Sequence, residues 1–374
     1  MNSYNRYLLI FISVFSVLFV KGQKIFTNKL PSSFNTYDVY KIKNYKSSEL
    51  DNLLKVNLTV EQRTKKLQEY INKNSEVILP NNEIVVSKGG LNLGDNKVLI
   101  FQKNTKLRIE NNDLENYGII NIIGSTNVKV LNAYIIGDRY KHYGNKGEWG
   151  HGIRIMGGKN ISVENFYIEN CWGDGIYIGK NKGVTSSDVN ITNGVVMNSR
   201  RNGISITSID GLRMQFVTAA FSNGTDPQFG IDFEANNSTD EMNNINLSNI
   251  VTYYNAKGGM MISFNKMASK AKVSKIINFD VTDFTDVGSK DIGLLVAQIS
   301  NNFKSLNGKM TFNNINVEKN LRPIIIKKND INSFHINLNK FNIINPTNRN
   351  FTNKEFLRVH KSKNNVNLKP GSNE

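Results

Sequence analysis

From about Leu79 onward, apolar residues recur in short runs of four to seven, alternating with polar ones and separated by Asn, Gly, Asp and Lys. A period of two is the signature of strands. Two strand types repeat. One carries asparagine at its border: "NVKVLNAYI" from Asn127, "NISVENFYI" from Asn160, "NITNGVVM" from Asn190 and "NINLSNIVT" from Asn244, with looser copies near Ile276, Met310 and His335. The other opens on glycine: "GIRIM" at Gly152, "GIYIG" at Gly175, "GISIT" at Gly203, "GIDFE" at Gly230 and "GMMIS" at Gly259. Those glycines are 23, 28, 27 and 29 residues apart, the length of one coil in a stack. Two or three short strands per period cannot bury a face alone, so the pattern predicts a solenoid whose coils repeat every ~4.8 Å.

The two ends read differently. Arg6 precedes a charge-free apolar run of 13 residues, Leu8 to Val20, too short for the roughly 20 that a spanning helix needs. It predicts a signal peptide over 1–22 with cleavage near Gln23, a secreted or periplasmic protein, and no integral membrane segment in the mature chain. Residues 23–78 form an N-terminal segment in which Thr59 and Gln62 spell a capping box. Val60, Leu67 and Ile71 share one face, so a helix over 60–73 is expected to cap the apolar end of the solenoid, which spans 79–345. The stretch 346–374, rich in Asn and Lys, reads as a loose, polar, basic tail.

Charge and cysteine content narrow the class. The chain carries +16, and loss of Arg6 and Lys21 with the leader leaves +14. The lysines are scattered, without the dense stripe of a nucleic-acid binder, so an acidic glycan is the expected polyanion. Cys171 is the single cysteine, so no intramolecular disulfide forms; in "IENCWG" it reads as a small buried hydrophobe. A monomer is expected. No phosphate-cradling loop, HExxH, paired-Cys site or nucleophile elbow is present.

The rungs, the helix-capped start, the leader and the run "GEWGHGIRI…NISVENFYIENCWGDGIYIG" resemble the pectin-lyase-like superfamily of pectate lyases, polygalacturonases and related polysaccharide-active enzymes. The resemblance covers roughly 79–345. It implies an all-β, single-stranded, right-handed parallel β-helix with a short N-terminal capping helix, and a polysaccharide substrate.

Aligning the glycine strands turns position into geometry. The first and third residues after each glycine (Ile153/Ile155, Ile176/Ile178, Ile204/Ile206, Ile231/Phe233) point inward, and the second points out. The outward column reads Arg154, Tyr177, Ser205, Asp232, Met261; the next reads Met156, Gly179, Thr207, Glu234, Ser263; the preceding turn reads His151, Asp174, Asn202, Phe229, Gly258. Low middle rungs flanked by Trp172, Tyr177 and the charged loop Gly137 to Gly152 describe a trough, with that loop as its lid or wall.

Outward neighbours on one strand lie about 6.5–7 Å apart, close to the roughly 6.5–9.5 Å of inverting glycosidases. Asp232 and Glu234 are therefore the candidate acid and base, assisted by Asp174 and Arg201. His151, Arg154, Trp172, Tyr177, Arg200 and Asn202 are candidate substrate-binding residues. Polygalacturonases cluster acids similarly, but their Asn-Thr-Asp, Asp-Asp and Arg-Ile-Lys signatures are absent. A hydrolase needs no cofactor. The alternative is a polysaccharide lyase or uronic-acid epimerase. Asn202, Asp232 and Glu234 resemble the Ca²⁺ ligands of such lyases, with Arg201, Tyr177 or His151 as base, although Thr239 and Met260 stand where those lyases carry downstream Lys and Arg. A non-catalytic glycan-binding solenoid is the third reading.

Overall fold

The computed structural model describes residues 29–45, 49–54, 57–268, 273–297, 306–327, 333–348, 350–360 and 366–370. The leader expected over 1–22 lies outside them. Short strands stack into a parallel β-solenoid of about eight turns. Among the described residues one sheet has 14 strands and the facing one has nine, and their ladders are parallel. The nine-stranded sheet runs, in stacking order, through Leu91–Asn92, Asn116–Ile123, Trp149–Met156, Ile176–Gly179, Ile204–Ile206, Phe229–Glu234, Gly258–Ser263, Ile292–Val296 and Arg322–Ile326.

The border asparagines have a backbone reason. Long strands of the larger sheet turn a corner in mid-course, and Asn165, Asn193, Asn249 and Asn314 sit there with φ of 53°, 54°, 53° and 56°. Asparagine tolerates this left-handed region better than other non-glycine residues. Asn127, Asn160 and Asn244 make the preceding corner at 58°, 54° and 53°. In the two coils between the last two, Asp188 and Gly211 take that place and not Asn190, because Asp188 precedes Val189 and Gly211 precedes Leu212 as Asn160 precedes Ile161. Stacked amides add cross-coil bonds, Asn160 Nδ2 to Asn127 Oδ1 at 2.7 Å and Asn127 Nδ2 to Asn96 Oδ1 at 2.9 Å.

The glycine column has a steric reason instead. A Cβ on Gly152 would meet the Gly175 carbonyl oxygen at 2.6 Å, one on Gly203 that of Gly230 at 2.5 Å, and one on Gly259 that of Gly293 at 2.4 Å. Each coil passes so close to the next that any side chain would push them apart. After each glycine the inward isoleucines and Phe233 are fully buried, in one continuous core with the facing sheet.

The helix Val60–Lys73 forms as expected, with both arms of the Thr59/Gln62 capping box present. Leu67 and Ile71 close the first coil's apolar end. Ahead of it, residues 30–45 lie along the outside of the larger sheet. Phe34 O accepts from Thr218 Oγ1 at 2.6 Å, Thr36 Oγ1 donates to Gly194 O at 2.9 Å, and Tyr45 N–H donates to Gln102 Oε1 at 2.7 Å.

The expected loose tail is corrected in its described part. Asn353–His360 is a helix whose Phe356 is buried against Phe341, and Val366–Pro370 pairs with the strand Phe334–Ile344. The last coil would otherwise expose its core, and Phe356, Leu357, Val366 and Leu368 cover it. No helix among the described residues is long and apolar enough to cross a membrane.

Candidate functional site

The strand register carries Arg154, Tyr177, Ser205, Asp232 and Met261 as successive partners on the outer face of the nine-stranded sheet. Glu234 pairs with Ser263 at the next outward position. His151, within the strand Trp149–Met156, and Asp174 and Asn202, in the turns before the next two strands, stand beside that column.

At its centre is a buried network. Asp174 is fully buried and accepts from the Asn202 N–H at 3.0 Å and from Arg201 Nη1 at 3.3 Å on both oxygens. Arg201 Nη1 also reaches Ser205 Oγ at 3.3 Å, and its Nε lies 3.4 Å from Glu148 of the loop. Asn202 Oδ1 accepts from Phe229 N–H at 2.9 Å, and its Nδ2 donates to Ser205 Oγ at 3.0 Å and to Asp232 Oδ2 at 2.9 Å. Asp232 Oδ1 is buried without a hydrogen-bond partner. Glu234 is half-buried, with Lys266 Nζ at 3.7 Å.

Burial dominates the electrostatics. Loss of water, reinforced by the neighbouring Glu234 charge, pushes the Asp232 carboxyl up to about 8, against the opposing pull of Arg201. Burial raises Asp174 as well, with Arg201 opposing. His151 is pushed down to about 3 by burial and then by the Arg154 and Arg201 charges. Its ring stacks on Tyr177 at 4.8 Å, its Nδ1 stands 3.6 Å from Asp174 Oδ2, and Tyr177 OH lies 3.0 Å from Thr207 Oγ1.

Four residues expected to touch substrate do not: His151 and Asn202 are buried within the network, and Trp172 and Arg200 face elsewhere. Trp172 is only 7% exposed, sandwiched between His142 at 4.0 Å and the Arg200 guanidinium at 3.8 Å. With both ring faces covered it offers no platform. Arg200 Nη1 donates to Gly147 O at 2.8 Å, so this pair holds the loop. The rest of the loop is fixed too: Asp138 accepts from Asn112 Nδ2 at 2.9 Å and from Tyr117 OH, and lies 2.8 Å from His142 Nδ1. Arg139 donates to the carbonyls of Asn198 and Ser199 at 2.7 and 3.1 Å. Of the two roles considered for this loop, the bonding is that of a wall. Cys171 is buried, and burial raises its thiol.

The set Asn202, Asp232 and Glu234 does not fit calcium. A backbone N–H only donates, so Phe229 fixes Asn202 with Oδ1 turned to it and Nδ2 turned to Asp232. A donor thus occupies the place where a hard cation needs an oxygen. No group of three His, Cys, Asp or Glu among the described residues is placed to hold a metal.

Glu148, Lys266, Asn116 and Asn121 are site residues that the repeat did not announce. Asn121 precedes Arg154 in the outward column and accepts from Arg154 Nε at 2.9 Å; Asn116 Oδ1 accepts from Arg154 Nη1 at 2.7 Å. Their coil carries Ile119 where later coils carry glycine, so it lacks the mark of the repeat.

No protein-family model matches the chain. It is 29% identical over 163 residues to the SPbeta prophage-derived uncharacterized protein YorA of Bacillus subtilis (strain 168), covering 39% of this chain and 28% of that one. It is 34% identical over 123 residues to the uncharacterized protein YclG of the same organism, covering 29% and 21%. The matches thus span under a third of either relative. Among solved structures, the tailspike of E. coli bacteriophage HK620, determined with a pentasaccharide, matches with a TM-score of 0.58 at 11% identity over 79% of this chain and 55% of that one. The family 28 exopolygalacturonase of Yersinia enterocolitica matches with 0.54 at 13% over 83% and 64%, and the A-module of the Azotobacter vinelandii mannuronan C-5 epimerase AlgE4 with 0.50 at 12% over 79% and 88%. The fold is a right-handed parallel β-helix resembling the pectin-lyase-like proteins. Its structural neighbours include glycan-active enzymes.

Proposed function

We propose that this protein is a glycoside hydrolase that cleaves an acidic polysaccharide, with Asp232 as general acid and Glu234 as general base. The observation that carries this reading is the setting of Asp232. It lies on an outward strand position yet is buried, with one oxygen held by Asn202, the other without a partner, and a half-buried carboxylate two residues along. Burial keeps Asp232 protonated at neutral pH, the state an acid must start from. Glu234, about 6.5–7 Å away along the strand, leaves room for a water on the opposite face of the sugar, the inverting arrangement. Asp174 and Arg201 position Asn202 and Ser205 beneath the acid. Tyr177 and Arg154 line the trough toward the earlier coils. Export, expected from the leader, fits a polymeric substrate outside the cell.

Purified protein incubated with uronic and sulfated glycans is expected to release reducing ends without the ultraviolet absorbance of an unsaturated uronate. The first-formed anomer, read by NMR, is expected to be inverted. Binding without cleavage of any glycan sinks the hydrolase; so does full activity of Asp232→Asn and Glu234→Gln.

One observation favours a second reading, uronate elimination or epimerisation. Tyr177 stands partly exposed in the outward column, two rungs from Asp232, with its ring stacked on His151 and its hydroxyl 3.0 Å from Thr207 Oγ1, a group able to exchange a C5 proton. Unsaturated products, or deuterium incorporation at C5 without cleavage, would select it.

A further inference from the structure

We propose that Arg154, forked by Asn116 and Asn121, is a distal subsite for a carboxylate or sulfate on a sugar lying about three residues from the bond that is cut. This rests on the reading of Asp232 as the acid.

Charge balance along the trough leads to it. Arg201 is matched by Asp174 and Glu148, Lys180 by Asp240 at 2.7 Å, Lys266 by Glu234, and Arg322 by Asp291 at 2.6 Å. Arg200 has its charge over the Trp172 ring and faces the loop. Arg154 makes no ion pair among the described residues. Its partners are two neutral amide oxygens, and it is half-buried. A guanidinium placed in this way, its Nε and Nη1 occupied and no anion supplied by the protein, is prepared for an anion from outside.

The fork is built into the chain. Gly118 lets the Asn116–Ile123 strand fold against it: a Cβ there would lie 2.3 Å from Asn121 Oδ1 and 3.2 Å from Arg154 Cβ. Asn121 is itself fixed by donating to Gly118 O at 3.0 Å. Trp149, whose backbone pairs with that of Asn116, is 46% exposed, an aromatic residue within a sugar's reach of the fork.

Position gives the spacing. From Arg154 the register steps through Tyr177 and Ser205 to Asp232, three rungs or about 14 Å, a length spanned by roughly three sugar residues. Beyond Asp232 the same column becomes Met261, Leu295 and Ile325, which pair in register. The trough therefore has a cationic end and an apolar end, and the acidic sugar belongs on the Arg154 side.

The test measures binding and cleavage separately. Calorimetry with the Asp232→Asn protein, which does not consume ligand, uses galacturonate oligomers of two to six residues, their methyl esters, and sulfated chondroitin oligosaccharides of matching lengths. Adding Arg154→Gln is expected to weaken the long anionic oligomers about tenfold, the loss of one charge-assisted pair, and to leave the esters and the disaccharide unchanged. Arg154→Lys should recover part of the loss, and melting curves check that each variant is folded. In the Asp232-intact protein, Arg154→Gln should raise KM for long substrates with kcat unchanged. The proposal is overturned by an equal effect on charged and esterified oligomers, by an effect independent of length, or by no anion-dependent affinity in either series. Arg154-dependent binding without any cleavage removes the hydrolase and leaves the subsite; cleavage indifferent to Arg154 does the reverse.

Discussion

Asn202 and Asp232 are joined by a 2.9 Å hydrogen bond in which the asparagine is the donor, a direction fixed by the Phe229 N–H on its other end. Asp232 thus receives a single side-chain donor, and its second oxygen receives none. That is too little to offset its burial. Asn202→Ala removes the donor and leaves the Phe229 amide unpaired. Melting should register a loss of about 1–3 kcal/mol. Because the lost bond favoured the ionised form, the alkaline limb of the activity profile should move to higher pH.

Asp232 acts as an acid only while protonated, and its carboxyl sits at about 8. Activity is therefore expected to hold through neutral pH and to fall as pH rises through about 8. Asp232→Asn should lower kcat roughly 10²–10⁴-fold and abolish that limb, with substrate binding retained.

Stability should peak in the mildly acidic range. Asp232 at about 8 and Asp286 at about 7 are raised chiefly by burial. The folded state holds their protons more tightly than the unfolded one, so their contribution is full below the ordinary carboxylate range and is lost as pH rises through those values. His151, lowered to about 3, has the opposite sign: its contribution is present above about 6.5 and is lost as pH falls toward 3. Melting temperatures at several pH values should trace a dome, and His151→Gln should lift its acid side relative to the maximum.

Gly203→Ala tests the stacking column. Its Cβ would meet the Gly230 carbonyl oxygen at 2.5 Å and Ala219 Cβ at 2.8 Å, an overpacking expected to cost about 1–3 kcal/mol. It would also displace Asn202 next to it, so activity should fall with stability. Gly89→Ala, with nothing within 4 Å of the added atom, is the control and should leave both unchanged.

Trp172→Ala should act through the loop and not through the sugar. Losing a buried Trp costs about 3–5 kcal/mol, and it would free His142 and Arg200 together. Limited proteolysis is expected to cut within residues 139–148 of the variant but not of the parent protein. If Trp172→Ala instead left proteolysis and melting unchanged and raised only KM, the ring would be a substrate platform after all.

The sequence made legible what repeats. Glycines spaced by one coil gave the register of Arg154, Tyr177, Ser205 and Asp232, because a residue facing out on one rung faces out on the next. The partners that define the site come from elements that do not repeat: Lys266 from a single helical turn, Glu148 from one inserted loop, Asn116 and Asn121 from a coil lacking the marker glycine. Trp172 was misplaced because an aromatic ring in a turn has the same pattern whether it stands in solvent or under a loop. The closing elements after Asn345 were missed because the short apolar groups Phe356-Leu357 and Val366/Leu368 stand in a polar, Asn- and Lys-rich stretch outside the repeat.

A stack of coils is ordinarily held only by contacts between neighbours, so it can fray one turn at a time from either end. The segment around Phe34 removes that freedom. By bonding to Gln102, Asn165, Gly194 and Thr218 in turn, it runs along the coils like the spine of a bound book. The second and sixth pages can no longer loosen independently, and the rungs that carry Asp174 and Asp232 lie inside the bound part. Opening of that middle stretch becomes a single event, tied to the release of a segment that is translated before any of the coils it secures.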